Sequence, residues 1–180
     1  MAGEDIPEFK FIPEYANGIA SIASCWATIE YYENNSIWIV AKLDPKTGAC
    51  MTSQMYTLQA KLAGLLSLLK LHGAPDTIIS RVNRFAENIR GPQEHRNRVV
   101  HDIWMLDNRH PGSMSRLEAT ASKKLKFEMQ DVPIQRLKDI YTELSACRQE
   151  FYNIRADIFT AQPSFPGIPG SELDPIPGVR

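Results

Sequence analysis

The residues best equipped for chemistry lie together in one short stretch, Gln93-Glu94-His95-Arg96-Asn97-Arg98-Val99-Val100-His101-Asp102-Ile103-Trp104. It holds two of the chain's four histidines and two arginines. An imidazole moves protons near neutral pH, and a guanidinium grips a phosphate through paired N–H groups. Laid on a helical wheel, Val99, Val100, Ile103 and Trp104 form one apolar arc. Arg96 points into the middle of that arc, one turn earlier. Asn97 and His101 are four residues apart and stack on its flank, while His95, Arg98 and Asp102 take the outer side. A cation near the start of a helix also opposes the helix dipole. Polar groups beside a surface that should be buried are a cost, and costs gathered in one turn mark function.

The rest of the chain reads as helices able to carry this stretch. Residues 1–16, with Pro7 and Pro13, read as an extended lead-in packed through Phe9, Phe11 and Ile12. Ile19, Ile22, Trp26 and Ile29 start a helical period that Ile37, Val40 and Leu43 continue. One helix to about Leu43 is the reading adopted, with a joint at Asn34-Asn35-Ser36 as the alternative. Glu33 falls on the apolar stripe and is expected to rotate to solvent. Asp44-Pro45-Lys46-Thr47-Gly48 reads as a turn, and Ser53 as the N-cap of a second helix. That helix carries Met55, Leu58, Leu62, Leu65 and Leu69 and closes at His72-Gly73. Pro75-Asp76 opens a third, buried through Ile78, Val82, Phe85 and Ile89, with Arg81, Arg84 and Arg90 on a solvated face. Gly91-Pro92 starts the fourth, which bears the chemical stretch and runs to about Leu106. From there the period changes to two: residues 114–130 read as an antiparallel hairpin with one apolar face. A last long helix follows, with Leu137, Ile140, Leu144, Cys147, Phe151, Ile154 and Ile158 in steps of three and four.

Length and composition fit one domain with a real core. The domain is placed at 17–160, and the Pro- and Gly-rich residues 161–180 are expected to be a disordered or draped tail. Basic and acidic residues nearly cancel, at a formal net charge of −1, which argues against wholesale coating of nucleic acid but leaves room for a local groove. Cys25, Cys50 and Cys147 are odd in number and far apart, so neither a disulfide framework nor a zinc site is indicated. The acidic start lacks an apolar signal core, and the apolar run at Leu62 to Leu71 is too short and too polar to span a bilayer. A cytoplasmic location, without membrane attachment, is the expectation.

At Arg96-Asn97-(Arg98-Val99-Val100)-His101 the chain resembles the HEPN superfamily (higher eukaryotes and prokaryotes nucleotide-binding). The signature of that family is an arginine, a polar residue and, four to six residues beyond, a histidine. The resemblance covers roughly residues 17–160 and is nearest to uncharacterised bacterial proteins of the family. It implies a mainly α fold, an up-and-down bundle of about five helices, with a small β-hairpin before the last. It also implies a homodimer that cleaves RNA without a metal or other cofactor, as a toxin or defence component with a cognate antitoxin. His101 would act as general base or acid, Arg96 would hold the scissile phosphate, and Asn97 would orient the phosphate or the imidazole. Glu94 and His95 would be accessory. The rival expectation is a catalytically silent HEPN-like protein that binds RNA or serves as a dimeric scaffold. A tyrosine that some toxin relatives carry two residues after the histidine is replaced here by Ile103, so control through that tyrosine is not implied. Arg90 and His95 repeat the bare spacing without the polar second residue, across Gly91-Pro92.

Other chemistries lack their residues. The sequence has no His-Glu-x-x-His, no paired Cys-x-x-Cys and no Glu-x-x-His for a di-metal bundle. It has no phosphate-binding glycine loop and no Gly-x-Ser-x-Gly elbow. His72 and His110 read as ordinary surface residues. Trp26 and Trp104 read as core or interface, and Trp38 sits off the stripe of the first helix.

Overall fold

A computed structural model describes residues 11–107, 110–120 and 126–164. The chain is mainly helical, with a small antiparallel sheet before the last helix. The elements are α1 (Pro13–Val40), α2 (Pro45–Thr52), α3 (Leu58–Leu71), α4 (Asp76–Asn88), α5 (Arg90–His101), β1 (Ile103–Leu106), β2 (Met114–Thr120), β3 (Lys126–Val132) and α6 (Ile134–Ala161), which a short 3-10 turn follows. The expectations for residues 1–10, for the 121–125 connection and for the tail beyond 164 concern residues outside the described ones. By contact the chain forms two compact units. One comprises Met1–Trp26 and Gly91–Ser145, the other Ala27–Arg90 and Ala146–Arg180.

In the second unit the leucine and isoleucine stripes behave as their spacing predicts. Leu62, Leu65 and Leu69 are buried, as are Ile78, Val82 and Phe85 and the α6 residues Phe151, Ile154 and Ile158. Phe85 and Phe151 pack ring to ring, with centroids 4.8 Å apart. Each such side chain contributes about 2 kcal/mol by leaving water. Arg155 donates to Asn35 Oδ1 at 2.6 Å, and α1 runs unbroken through Asn34-Asn35-Ser36. The Ser36 hydroxyl donates back to the Tyr32 carbonyl at 2.8 Å, which gives that polar residue a partner inside the helix.

Three expectations are corrected here. Residues 44–48 are not a simple turn. Asp44 caps α2, accepting from the backbone N–H groups of Lys46 and Thr47, and Pro45 takes the first helical position, where its missing N–H costs nothing. Hydrogen bonds, from Thr47 foremost, hold the Asp44 carboxyl below the usual range. Ser53 closes this helix instead of opening the next, which Thr57 caps by accepting from Ala60 N–H. Finally, Glu33 does not reach solvent. It is fully buried, and neither carboxylate oxygen has a hydrogen-bond partner. Burial pushes its pKa up to about 9, against a smaller opposing pull from Lys61. The side chain is tolerated on the stripe because it is a neutral acid there.

Gly48 makes α2 possible where it lies. A Cβ at this position would stand 2.5 Å from the Trp38 ring. Trp38 Nε1 in turn donates to Thr52 Oγ1 at 3.2 Å. Gly48→Ala is therefore expected to lose about 1–3 kcal/mol through overpacking, despite alanine's higher helix propensity. Chemical denaturation measures this, and equal or higher stability would refute the close packing.

In the first unit α1 starts at Pro13, inside the segment expected to be extended, with Ile12 O accepting from the N–H groups of Tyr15 and Ala16. Phe11 and Ile12 are half-buried. The Tyr15 hydroxyl donates to Val132 O at 2.8 Å, and its ring meets Trp104 edge-on at 6.0 Å. The largest correction is at α5, which ends at His101 and not near Leu106. Ile103–Leu106 is instead a strand that pairs antiparallel with β2, Ile103 opposite Leu117 and Leu106 opposite Met114. Four consecutive apolar residues fit a strand as well as a helix, and the β2 pairing decides between them. β3 pairs on the other side of β2, Met114 opposite Val132 and Ala119 opposite Phe127, so the expected hairpin is the larger part of a three-stranded sheet in the order β1-β2-β3.

Alternation assigns the two faces of this sheet. One face carries Trp104, Met114, Arg116, Glu118, Gln130 and Val132, and Trp104, Met114, Glu118 and Val132 are buried. The other carries Ile103, Met105, Leu117, Ala119, Phe127 and Met129, and most of it lies open to solvent.

Candidate active site

The last two turns of α5 place the motif. Proline in the first turn is compatible with the helix, and Val99 anchors the far end in the core. Trp104 Nε1 reaches back to donate to Val99 O at 2.8 Å, capping the helix end from the first strand. Arg96, Asn97 and His101 are then neighbours in space. Arg96 Nη1 donates to Asn97 Oδ1 at 3.0 Å and lies 3.3 Å from His101 Nε2. A guanidinium can only donate, so Nε2 is the acceptor and the ring proton sits on Nδ1.

Arg96 is held from below. Its guanidinium carbon lies 5.4 Å from the Trp26 ring centroid, and its Nε is buried without an acceptor. A cation over an indole face gains about 1 kcal/mol. This resolves the wheel's oddity: Arg96 does point at the apolar side, and Trp26 on α1 is the surface that receives it. Trp26 is core, as expected, and also the platform of the arginine. Trp26→Leu is expected to keep the fold but loosen Arg96, seen as lost protection of the arginine in guanidinium-specific chemical labelling. Unchanged labelling would refute the platform role.

His101 and Asn97 are exposed and border a cavity of about 330 Å³ with Glu94, Arg98 and Asp102. Behind it an ion network ties helix to sheet. Asp102 lies 3.8 Å from Arg98 Nη1 and 3.4 Å from Arg116 Nε. The Asp102 and Arg116 atoms are both buried and lack hydrogen-bond geometry, so this is an ion contact. Arg98 Nη2 lies 3.9 Å from Glu118. Gln130 accepts from Arg116 and donates to Glu118 at 2.6 Å. Asp102→Ala leaves two cations short of a partner, at an expected cost of about 2 kcal/mol by urea denaturation; a cost near zero would show the network to be surface decoration.

Of the two accessory residues, the structure brings only Glu94 to this cavity. His95 turns away. Its Nδ1 lies 3.0 Å from Glu143, and its Nε2 accepts from Arg136 at 3.2 Å, in a second cavity of about 290 Å³ that Arg98 and Arg116 also line. Arg81 pairs with Asp157, and Arg84 and Arg90 are exposed, in line with a solvated face.

His110 is less ordinary than its sequence suggests. Its Nδ1 lies 2.9 Å from buried Asp107 and 3.8 Å from Asp131. Among the described residues these three are the group whose donor atoms converge, within 4.8 Å of one another. Ser115 donates to the other Asp131 oxygen at 2.8 Å. The imidazole of His110 thus stands between two carboxylates and within hydrogen-bond reach of the buried one. Only the strand pairing, which sets Asp131 beside the β1–β2 loop, could have disclosed it.

No helix among the described residues is long and apolar enough to cross a membrane. Comparison with family models, with curated proteins and with solved structures returns no match to this chain.

Proposed function

We propose that the chain is a HEPN-like, metal-independent endoribonuclease acting through Arg96, Asn97 and His101. The observation that carries this reading is the position of Arg96 Nη1, between Asn97 Oδ1 and His101 Nε2 at the edge of an open cavity. A phosphodiester entering there takes the guanidinium away from the imidazole. Nε2 is then free to remove the proton of the neighbouring ribose 2′-hydroxyl. That oxygen attacks phosphorus, and the P–O5′ bond breaks. The products are a 2′,3′-cyclic phosphate and a 5′-hydroxyl end, whose oxygen takes up a proton. Arg96 answers the charge that grows on the phosphoryl oxygens, so an arginine does the work a metal ion could do. Asn97 holds Arg96 in register. The nucleophile belongs to the substrate, which confines the activity to RNA.

The test is incubation of the full chain with RNA in chelator, beside the same RNA carrying 2′-O-methyl groups. Cleavage of the first alone supports the reading, and cleavage of neither or of both sinks it. On this reading the protein works in the cytoplasm as a homodimeric toxin or defence component, kept in check by a cognate antitoxin. One observation favours a second reading, a catalytically silent HEPN-like scaffold or RNA holder. Glu94 and Asp102 share the cavity edge with His101, and two carboxylates repel a polyanion. Binding of RNA without cleavage would select it.

A further inference from the structure

The sheet has apolar side chains on both of its faces. Its ionic and amide side chains, Arg116, Glu118 and Gln130, lie on the face turned toward the protein, where α5 answers them through Arg98 and Asp102. Beside Trp104, Met114 and Val132 on that inner face, a second set of apolar side chains lies on the other face. Ile103 is 60 % exposed, Met105 44 %, Phe127 74 % and Met129 40 %. The register makes this one continuous surface, since Ile103, Leu117 and Met129 stand in a row across the three strands and Ala119 stands beside Phe127. The sheet contacts made by α1 and α5 among the described residues reach the opposite face or strand backbone, through Tyr15, Val99, Arg98 and Asp102. An antiparallel sheet with one free side normally turns its polar side to water.

We infer that this face is an interface, and that its occupant is the same face of a second copy. The area fits. At about 200 Å² for a fully exposed large side chain, the four residues leave about 400 Å² of apolar surface. A specific interface buries about 800 Å² per partner, an apolar centre within a polar rim. The four residues are that centre, and Leu117, Ala119 and the strand edges extend it. The chemistry also fits. Among the described residues the two-residue alternation puts Ser115 and Asp131 at one end of this face and no other charge on it, so its apolar part offers little to a charged partner, whereas a twisted apolar sheet is complementary to itself under a two-fold rotation. Two methionines let the surfaces adjust. Two such sheets stack about 10 Å apart.

The inference stands on the sheet alone and holds whether or not the chain cleaves RNA. It has a consequence for the proposed site all the same. Ile103 follows His101 by two residues, so each copy's His101 lies about 7 Å along the chain from the buried face.

The test is sedimentation velocity of the full chain over a range of concentrations. Wild type should be a dimer that dissociates on dilution. Phe127→Lys and Ile103→Lys should each raise the dissociation constant at least about tenfold, because a lysine at the apolar centre must be desolvated. Tyr56→Lys, at an exposed residue of the other unit, and His101→Ala should stay dimeric. Circular dichroism confirms that each variant is folded. As a second reading, Leu117→Cys in the Cys50→Ser background should be captured as a dimer by a short bismaleimide, and Glu128→Cys on the opposite face should not. A wild-type monomer at every concentration overturns the inference, and so does a dimer that both lysine variants leave intact. His101→Ala separates the two proposals, since loss of cleavage with the dimer retained speaks only to the chemistry.

Discussion

On the proposed ribonuclease reading, replacing His101 with alanine is expected to slow RNA cleavage by about 10²- to 10⁴-fold, the usual contribution of a positioned general base. Arg96→Ala is expected to lose about 10²- to 10³-fold, as when a single donor to a developing oxyanion is removed. Arg96→Lys should recover little of it. The guanidinium lies over Trp26 while one of its nitrogens meets both Asn97 and His101. A lysine delivers the charge as a point and cannot hold that planar geometry. Asn97→Ala should fall between these variants and wild type, since Asn97 accepts from Arg96 and, on the same reading, transfers no proton. The readout is initial rate on a defined RNA in chelator, with unchanged melting temperature as the control for folding. Variants of His101 and Arg96 that cleave as fast as wild type would remove both residues from the chemistry.

The second large effect concerns stability and pH. Glu33 titrates at about 9 in the folded chain, against an ordinary value of 4.5. Between those limits the folded state holds a proton that the unfolded state has released, so the unfolded state binds fewer. Stability from this group is complete below about pH 4.5 and is lost as pH rises, by about 1.4 kcal/mol per pH unit. Carried to pH 9, the loss is about 6 kcal/mol, comparable with the whole stability of many domains. Glu33→Gln removes the titration while keeping shape and polarity. Its stability relative to wild type should therefore climb steadily from pH 5 to pH 9 and exceed it by about 3 kcal/mol near pH 8, after allowing for an unpartnered amide. Urea denaturation at each pH measures the difference, in which titrations common to both proteins cancel. A difference that stays flat with pH would mean that Glu33 is ionised in the folded chain.

What the sequence disclosed and what it hid divide along physical lines. The stripes of α3, α4 and α6 were legible because burial repeats with the helical period, and all the α6 positions predicted for the core except half-buried Cys147 are buried. The closeness of Arg96, Asn97 and His101 was legible for the same reason, since one helix sets it. Features made by distant segments were not. Ile103–Leu106 continued the apolar arc of α5, and only the partner strand at Met114–Leu117 identifies it as β1. Asp44-Pro45 carries the same residues whether it makes a turn or caps a helix, and the space beside Trp38 decides. Trp26 beneath Arg96 and Glu143 beside His95 come from other helices. Glu33 was misplaced because residue type encodes a charge, whereas burial had removed it.

The junction between α5 and β1 has one further implication. The helix ends at His101 and the strand begins at Ile103, with Asp102 alone between them. Two periods, 3.6 and 2, are thus joined without slack, and the rotational phase of the helix dictates the pleat of the strand. Inserting one residue there would turn Ile103 and Met105 inward and send Trp104 out, putting β1 out of phase with its partners on β2. Length changes in the loop between Leu106 and Met114 carry no such penalty, because a loop absorbs them. The direction in which His101 points and the side of β1 that meets water are therefore a single geometric choice, made at Asp102.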